Sequence, residues 1–349
     1  MRALRTSWTL GCVVLVSSAC LTTVDASAGT DTAKRCPEPA TTSVTINVKS
    51  KGAKGDGRAN DTAAIQAAID AVVAGGTVLV PEGTYMVSTL PRENLRLKSD
   101  MVLKLAPRAV LKAIPSTEKR VALLRVSNAS NVIIIGGTLQ GQRDKLKEAR
   151  GLGMGLRIDN ASFKISVLNT TAKDMWGDGF YIEDASDVTL CGVTASNNRR
   201  QGLSIIQGDN ILVKYSLFQT TNGARPGAGI DLEPDERVQA IDNIRIQSSR
   251  FLDNAGPGIL INGKKGPVSN VEITRNVFRT RQPVLIRDAT APLSSAVCGN
   301  RYIQIVAEPG GLYAFADPVE LSASDYQLTT LTRAKATAPC AKSNASQDN

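Results

Sequence analysis

Apolar and polar positions alternate along the middle of the chain in rows that can be stacked on one another. Each row begins with alternating apolar and polar residues, passes through a short polar turn and ends in a second strand-like run. The rows begin at Leu124, Leu156, Phe180, Leu203, Ile230, Ile259 and Val284, at steps of 32, 24, 23, 27, 29 and 25 residues. Steps of this length predict one coil of a β-solenoid per row. We therefore predict an all-β fold, a right-handed parallel β-helix.

Stacking the rows predicts which side chains face the core, because side chains alternate between the two faces of a strand. One inward ladder consists of the residues that begin the rows, and the next ladder begins two residues later, at Val126. Two outward columns follow from the same alignment. The first is Arg125, Arg157, Tyr181, Ser204, Asp231, Leu260 and Leu285. The second is Ser127, Asp159, Glu183, Ile206, Glu233, Asn262 and Arg287.

The segment before the rows predicts an N-terminal capping helix. Asp61 and Thr62 favour a helix start, an amphipathic pattern continues to about Val73, and Gly75-Gly76 ends it. We expect this helix to plug the open end of the solenoid, where strand edges would otherwise be exposed. We assign residues 29–290 to the parallel β-helix domain and residues 291–349 to an irregular C-terminal capping segment.

The first 28 residues predict a signal peptide. A basic start is followed by an apolar run from Trp8 to Val16 and by Ala26-Ser27-Ala28, a small-residue cleavage site. Lipidation of Cys20 is the alternative interpretation. No later stretch has the roughly 18 consecutive apolar residues of a membrane-spanning helix, so we predict no membrane span. We expect the protein to be secreted, either into a periplasm or outside the cell.

Composition narrows the chemistry. The formal net charge is +9 and histidine is absent, which excludes Ser-His-Asp triads and histidine-ligated zinc sites. The dispersed positive charge suits an acidic polymer, a cell envelope or simple solubility, whereas scarce aromatic residues and export argue against nucleic acid as a partner.

Of the four cysteines after the signal, we expect Cys298 to pair with Cys340, and we interpret Cys191 as a buried thiol. The sequence does not determine the oligomeric state.

Acidic residues concentrate in the middle of the outward columns. Asp178, Glu183, Asp231 and Glu233 are candidate catalytic residues, because neighbouring carboxyl groups can supply the acid and the base of an inverting glycosidase. Asp231, Glu233 and Asp235 can alternatively bind calcium, which prefers oxygen ligands. No cofactor is certain from the sequence, and calcium is the candidate.

Basic and aromatic side chains surround the acids. Arg157, Tyr181, Arg200 and Lys264 are candidate substrate-binding residues, since an anionic sugar needs cations that hold its carboxylates. The alternative is that these charges are an ordinary solvated surface. Acids and bases segregate by row, which favours the functional interpretation.

The run KGDGRANDTAAIQAAIDAVVAGGTVLVPEGTY, from Lys54 to Tyr85, resembles the N-terminal signature of the pectate-lyase-like β-helix superfamily, which includes rhamnogalacturonases, polygalacturonases and epimerases. Trp176-Gly177-Asp178-Gly179 resembles the Asn-Thr-Asp-Gly of polygalacturonases. The chain departs from those enzymes at Arg200-Gln201, where they carry two aspartates, and at Gly227-Ala228-Gly229, where they carry Gly-His-Gly. The segments 178–182 and 197–205 are similar to alginate C5-epimerase modules, although Gln201 replaces their histidine.

The resemblance implies a secreted enzyme that acts on an acidic, uronate-containing polysaccharide, as a lyase, a glycoside hydrolase or an epimerase. Lyases of this fold can use arginine or lysine as the base, assisted by calcium. A non-catalytic glycan-binding or surface-adhesion protein is the second hypothesis, because two of the three polygalacturonase positions are changed. A purely structural envelope protein is the third.

Overall fold

The computed structural model describes residues 36–39, 44–116, 118, 121–143, 152–287, 297–298, 300–302, 305–307 and 313–315. Its helices are a 3-10 helix (Val48–Lys51) and α1 (Thr62–Ala71). The strands up to the first long one are β1 (Thr45–Asn47), β2 (Asp56–Asn60), β3 (Gly76–Val80), β4 (Gly83–Val87), β5 (Leu95–Leu97), β6 (Met101–Leu105), β7 (Ala109–Ala113), β8 (Val121–Ser127), β9 (Ser130–Ile135), β10 (Thr138–Gln140) and β11 (Gly153–Leu168). The later strands are β12 (Thr171–Lys173), β13 (Asp178–Cys191), β14 (Thr194–Ser196), β15 (Gln201–Lys214), β16 (Leu217–Gln219), β17 (Ile230–Leu232), β18 (Ile241–Gln247), β19 (Arg250–Leu252), β20 (Ile259–Asn262), β21 (Val271–Thr274), β22 (Val277–Arg279), β23 (Val284–Arg287), β24 (Val297–Cys298), β25 (Arg301–Tyr302), β26 (Ile305–Ala307) and β27 (Tyr313–Phe315).

Strands β1 to β25 form three faces along the solenoid, and β26 and β27 pair with each other in a separate antiparallel sheet. The first face contains β5, β8, β17, β20 and β23 with the first halves of β11, β13 and β15. The second face contains the second halves of those long strands with β1, β3, β6, β9, β18, β21 and β24. The third face is the sheet β2-β4-β7-β10-β12-β14-β16-β19-β22-β25. Strands pair in parallel within each face, so the predicted right-handed parallel β-helix is confirmed.

The predicted inward ladders are confirmed residue by residue. Leu156 pairs with Leu124 on one side and Phe180 on the other, and the register continues through each later row to Val284. The ladder that begins at Val126 is in register in the same way. Both ladders belong to one continuous apolar core. Within it, Phe218, Phe251 and Phe278 stack with ring centroids 5.3 and 4.8 Å apart.

The second outward column is wrong at one position. Glu183 pairs with Gln207 and not with Ile206, because the register shifts between Ile182 and Glu183. A β-bulge of this kind adds a residue to one strand and re-aims its side chain. Ile206 is buried in an apolar cluster with Tyr181 and Met154, separate from the core.

Helix α1 is present where the sequence predicts one, but it ends at Ala71, before the expected end near Val73. The expected capping hydrogen bond at its first turn is not formed. The Asp61 carboxylate makes no capping hydrogen bond and accepts instead from the backbone amides of Lys54 and Gly55. The helix contributes Ile65 and Ile69 to the core. Its role as a plug stays a prediction.

The cysteine interpretation is wrong for Cys191. Cys191 forms a disulfide with Cys36, 155 residues earlier in the sequence, and is not a buried thiol. The two cysteines join Ile135 and Leu168 in a small apolar cluster on the outer side of the second face. Cys340, the expected partner of Cys298, lies outside the described residues.

The expected signal peptide, residues 1–28, and the alternative lipid site at Cys20 also lie outside the described residues, as does most of the expected C-terminal segment. Secretion therefore stays a prediction. Within the described part of the chain, no helix is long and apolar enough to cross a membrane.

Candidate functional site

Glycines bring the coils of the first face close together where the candidate acids lie. Gly179 and Gly202 directly precede the inward residues of two successive rows. A Cβ atom on Gly179 would lie 2.7 Å from the carbonyl oxygen of Gly202, so a side chain there would push the coils apart. The residues before these glycines, Asp178 and Gln201, pair in register.

Asp178 is held from the next coil. Its Oδ2 accepts hydrogen bonds from Arg200 Nη1 at 2.9 Å and from Ser204 Oγ at 3.1 Å. The Asp178 carboxyl group is fully buried, whereas 19% of the Arg200 side chain remains exposed. Burial raises the pKa of Asp178, and the positive charge of Arg200 opposes that rise.

Asp231 is the second buried acid, one coil beyond Ser204, with which it pairs in register. Its Oδ2 accepts a hydrogen bond from Gln201 Nε2, and Gln201 is fixed in turn because its Oε1 accepts from the backbone amide of Ala228 at 2.9 Å. Asp178 and Asp231 therefore lie on either side of Ser204. Their strands are two spacings apart, about 10 Å, and Asp178 reaches across part of that distance.

Glu233 and Arg200 complete the cluster. Burial, followed by the negative charge of Glu233, raises the pKa of Asp231 well above its ordinary value of 3.8, while Arg200 acts in the opposite direction. Arg200 interacts electrostatically with Asp178, Asp231 and Glu233. Glu233 Oε1 also accepts a hydrogen bond from Asn262 Nδ2 at 2.7 Å. We call these four residues, Asp178, Arg200, Asp231 and Glu233, the carboxyl cluster.

Two buried oxygen atoms of the carboxyl cluster accept no hydrogen bond from the described residues. They are Oδ1 of Asp178 and Oδ1 of Asp231. A buried acceptor without a donor is costly, so each of these atoms favours a proton or an incoming hydroxyl group as its partner. The cluster can therefore hold a proton on one carboxyl group and accept one on another.

Glu183 belongs to a neighbouring arrangement. Arg125 binds both oxygens of Asp159, and Arg157 bridges Asp159 and Glu183, with its Nη2 at 2.8 Å from Glu183 Oε2. Charges of opposite sign thus alternate over three coils, and we call these four residues the ion-pair ladder. Arg157 also lies over the Tyr181 ring, with its guanidinium carbon 5.4 Å from the ring centroid. Two predicted substrate-binding residues, Arg157 and Tyr181, therefore border the carboxyl cluster.

Lys264 and Asp235 lie apart from the buried acids. Lys264 is exposed in the turn after β20, and Asp235 faces Lys265 at 4.0 Å. No group of three or more metal-ligating side chains is brought together among the residues that the structure describes. The predicted calcium ligands Asp231, Glu233 and Asp235 therefore do not form such a group, and Asp235 lies opposite Lys265 instead.

The sequence analysis did not select Gln201, Ser204 or Asp159 as site residues. Gln201 orients Asp231, Ser204 separates the two buried acids, and Asp159 joins two arginines. Ser204 and Asp159 stand in the outward columns, so their position was available from the row alignment. Gln201 could have been found from its place before a row-opening glycine, which matches that of Asp178.

Two depressions border the first face, and their lining residues come from earlier and later coils than the centre of the carboxyl cluster. One is small and is lined by residues that include Met154, Met175 and Trp176. The other has a volume of about 490 Å³ and lies beyond Asp231, against Leu260 and Leu285. The carboxyl cluster thus lies between the two depressions in the order of the coils.

Comparisons with known proteins match this architecture. Residues 45–250 match the family described as rhamnogalacturonase A/epimerase, pectate lyase-like. The A-module of mannuronan C-5 epimerase AlgE4 from Azotobacter vinelandii has 26% sequence identity and a TM-score of 0.52, over 70% of this chain and 76% of that one. The exo-poly-alpha-D-galacturonosidase of Dickeya chrysanthemi is 33% identical over 285 residues, which are 67% of this chain and 46% of that protein.

A third similar protein is the surface protein and adhesin PfbA of Streptococcus pneumoniae. It has 18% sequence identity and a TM-score of 0.55, over 73% of this chain and 83% of that one. At this sequence identity the similarity shows a shared fold and nothing more. The chain spans less than half the length of the curated relatives it matches. Since the matched residues 45–250 are more than half of the sequence, the chain belongs to the rhamnogalacturonase A/epimerase, pectate lyase-like family.

Proposed function

We propose that this protein is a secreted enzyme that hydrolyses a uronate-containing polysaccharide, with the carboxyl cluster as its active site. The observation that carries the proposal is the pair of buried acids on either side of Ser204, with Arg200 paired to Asp178 and Glu233 beside Asp231. Burial raises the pKa of both acids, and the ion pair with Arg200 opposes that rise at Asp178. Two carboxyl groups in different surroundings can take separate acid and base roles.

Asp231 is the proposed general acid. Its pKa is raised well above 3.8 by burial and by Glu233, so it retains a proton at a pH at which an ordinary carboxyl group has lost it. In the proposed reaction Asp231 donates this proton to the glycosidic oxygen as the bond from that oxygen to the anomeric carbon breaks. The leaving sugar then departs as a neutral alcohol.

Asp178 is the proposed general base. Burial raises the pKa of Asp178, and its ion pair with Arg200 opposes that rise. The charged form can take a proton from a water molecule while the water oxygen bonds to the anomeric carbon. The two acids lie on strands about 10 Å apart, and Asp178 reaches towards Ser204. Inverting glycosidases separate their carboxyl groups by about 6.5 to 9.5 Å, which leaves room for that water molecule.

Arg200 is the proposed group that selects an acidic sugar. One of its nitrogen atoms donates to Asp178, and a guanidinium group carries five N–H donors in all. The remaining donors can bind the carboxylate of a uronate residue. The relatives named as a mannuronan epimerase and a galacturonosidase support this substrate class.

The test is reducing-end release from polygalacturonate and from alginate by the wild-type protein and by Asp231→Asn and Asp178→Asn. Each variant is expected to lose at least about a hundredfold in rate, since general acid or base catalysis contributes 10²–10⁴-fold. Asp253→Asn is the matched control, because Asp253 pairs with Arg279 on the third face. Full activity in either site variant would remove the assignment.

Elimination or epimerisation is the second candidate, favoured by the electrostatic interaction of Arg200 with Tyr181. Tyr181 is buried, and Arg157 lies over its ring, so a phenol interacts with two arginines. Arginine can neutralise a uronate carboxylate while a neighbouring base removes the adjacent carbon-bound proton. Products with ultraviolet absorbance, or uronate residues of inverted configuration without chain cleavage, would favour this candidate over hydrolysis.

A further inference from the structure

The larger depression on the first face continues the column that contains Asp231. Leu260 is the in-register neighbour of Asp231, and Leu285 is the neighbour of Leu260. Both leucines line the cleft of about 490 Å³, and its rim is formed by residues 223–227 and 255–257. Leu285 is two strand spacings from Asp231, about 10 Å along the solenoid. We call this depression the arginine cleft.

The described charged residues that line the arginine cleft are all positive. Arg225 and Arg287 line it together with Gln282, and none of the described residues that line it is acidic. Both arginines are exposed, and neither forms an ion pair with another described residue. Arg125, Arg157 and Arg200 on the same face all have carboxylate partners. The two arginines of the cleft therefore have charge available for a ligand.

We propose that the arginine cleft is a binding site for the uronate residues that follow the cleaved bond along the polysaccharide, with Arg225 and Arg287 each holding a sugar carboxylate. The ligand identity rests on the proposed function. Planar guanidinium groups bind carboxylates through paired hydrogen bonds. Leu260 and Leu285 offer an apolar floor on which the C–H face of a pyranose ring can lie, and Gln282 offers an amide to a hydroxyl group.

The arrangement sets a chain-length dependence. A ligand that reaches only the carboxyl cluster cannot contact Arg287, which is two coils beyond Asp231 in the row alignment. A longer oligouronate spans both regions and gains the two arginine contacts. The affinity is therefore expected to rise from dimer to hexamer, and the increase is expected to depend on Arg225 and Arg287.

The experiment is calorimetric titration of galacturonate and mannuronate oligomers, from dimer to hexamer, into protein carrying Asp231→Asn, which prevents turnover. Adding Arg225→Gln or Arg287→Gln is expected to weaken hexamer binding by about tenfold each, the loss typical of one charge-assisted hydrogen-bonding partner. Dimer binding is expected to change little. Arg281→Gln is the matched control, because Arg281 is exposed nearby but does not line the cleft. A neutral hexasaccharide, cellohexaose, controls for charge.

Unchanged hexamer affinity in the Arg225 and Arg287 variants would overturn the inference, as would equal losses in the Arg281 control. Failure to bind any oligouronate would overturn it as well. The proposed function fails in a different way. If the wild-type protein binds hexamers through the arginine cleft but releases no product from them, the cleft stands and the hydrolytic assignment falls.

Discussion

The buried acid Asp231 makes the stability of the protein depend on pH in a predictable direction. The substitution Asp231→Asn keeps the shape of the side chain, and its carbonyl oxygen can still accept the hydrogen bond from Gln201 Nε2. The new amide is neutral beside Glu233, whose negative charge contributes to the raised pKa of Asp231. The variant therefore removes one ionisable group while it retains the packing.

The folded-state pKa of Asp231 lies above the unfolded value, near 3.8. Folded protein then binds more protons than unfolded protein in the interval between the two values. The stabilisation that Asp231 contributes is fully present below pH 3.8 and is lost as pH rises through the raised pKa. Each pH unit in this interval lowers the free energy of unfolding of the wild type by about 1.4 kcal/mol. Asp231→Asn has no such loss.

The assay is urea unfolding of the wild type and of Asp231→Asn at a series of pH values from 4 upward, compared as the difference in free energy of unfolding. The variant is expected to gain on the wild type by about 1.4 kcal/mol per pH unit until the pKa of Asp231 is passed. Asp253→Asn, at the ion pair with Arg279 on the third face, is the matched control. A difference that is flat in pH, or one that favours the wild type as pH rises, would refute the reasoning.

Three further predictions concern the scaffold. Phe251→Ala removes the middle ring of the aromatic stack and is expected to lower the free energy of unfolding, measured by chemical denaturation, by about 3–5 kcal/mol. A loss of less than about 1 kcal/mol would contradict the packing. Replacing Cys36 and Cys191 by serine removes a cross-link between residues 155 positions apart and is expected to lower the free energy of unfolding by about 5 kcal/mol. Equal melting temperatures of the wild type with and without reductant would argue against the disulfide. Gly202→Ala places a Cβ 2.8 Å from a Phe218 ring atom and against the carbonyl of Gly229. It is expected to reduce the yield of folded protein, measured by circular dichroism, and a normal spectrum and stability would contradict that close approach.

The ladders could be predicted from the sequence because the same alternation recurs in every row, and a slip by one residue would move charged residues such as Asp231 and Glu233 into the core. The bulge at Ile206 could not. It depends on whether an extra apolar residue finds a partner outside the core, and Tyr181 and Met154 provide one only once the coils have been stacked.

Long-range contacts account for the other differences. The pairing of Cys36 with Cys191 requires the N-terminal segment to cross the outer side of the second face, which no local pattern encodes. The position of Glu183 is instructive in another way. It stands in a column of acids, but Arg157 on the preceding coil is nearer than the acids of later coils and binds it. For Glu183, the oppositely charged Arg157 one strand spacing away therefore outweighs the acids two strand spacings away.

The most direct test of the central claim is to follow one digest of polygalacturonate and one of alginate by two readouts, reducing ends and ultraviolet absorbance, with wild-type protein and Asp231→Asn. Hydrolysis by the carboxyl cluster predicts that the wild type releases reducing ends from at least one polymer without a rise in absorbance, and that Asp231→Asn does not. Reducing ends that increase in step with absorbance, or equal release by the variant, would contradict the account.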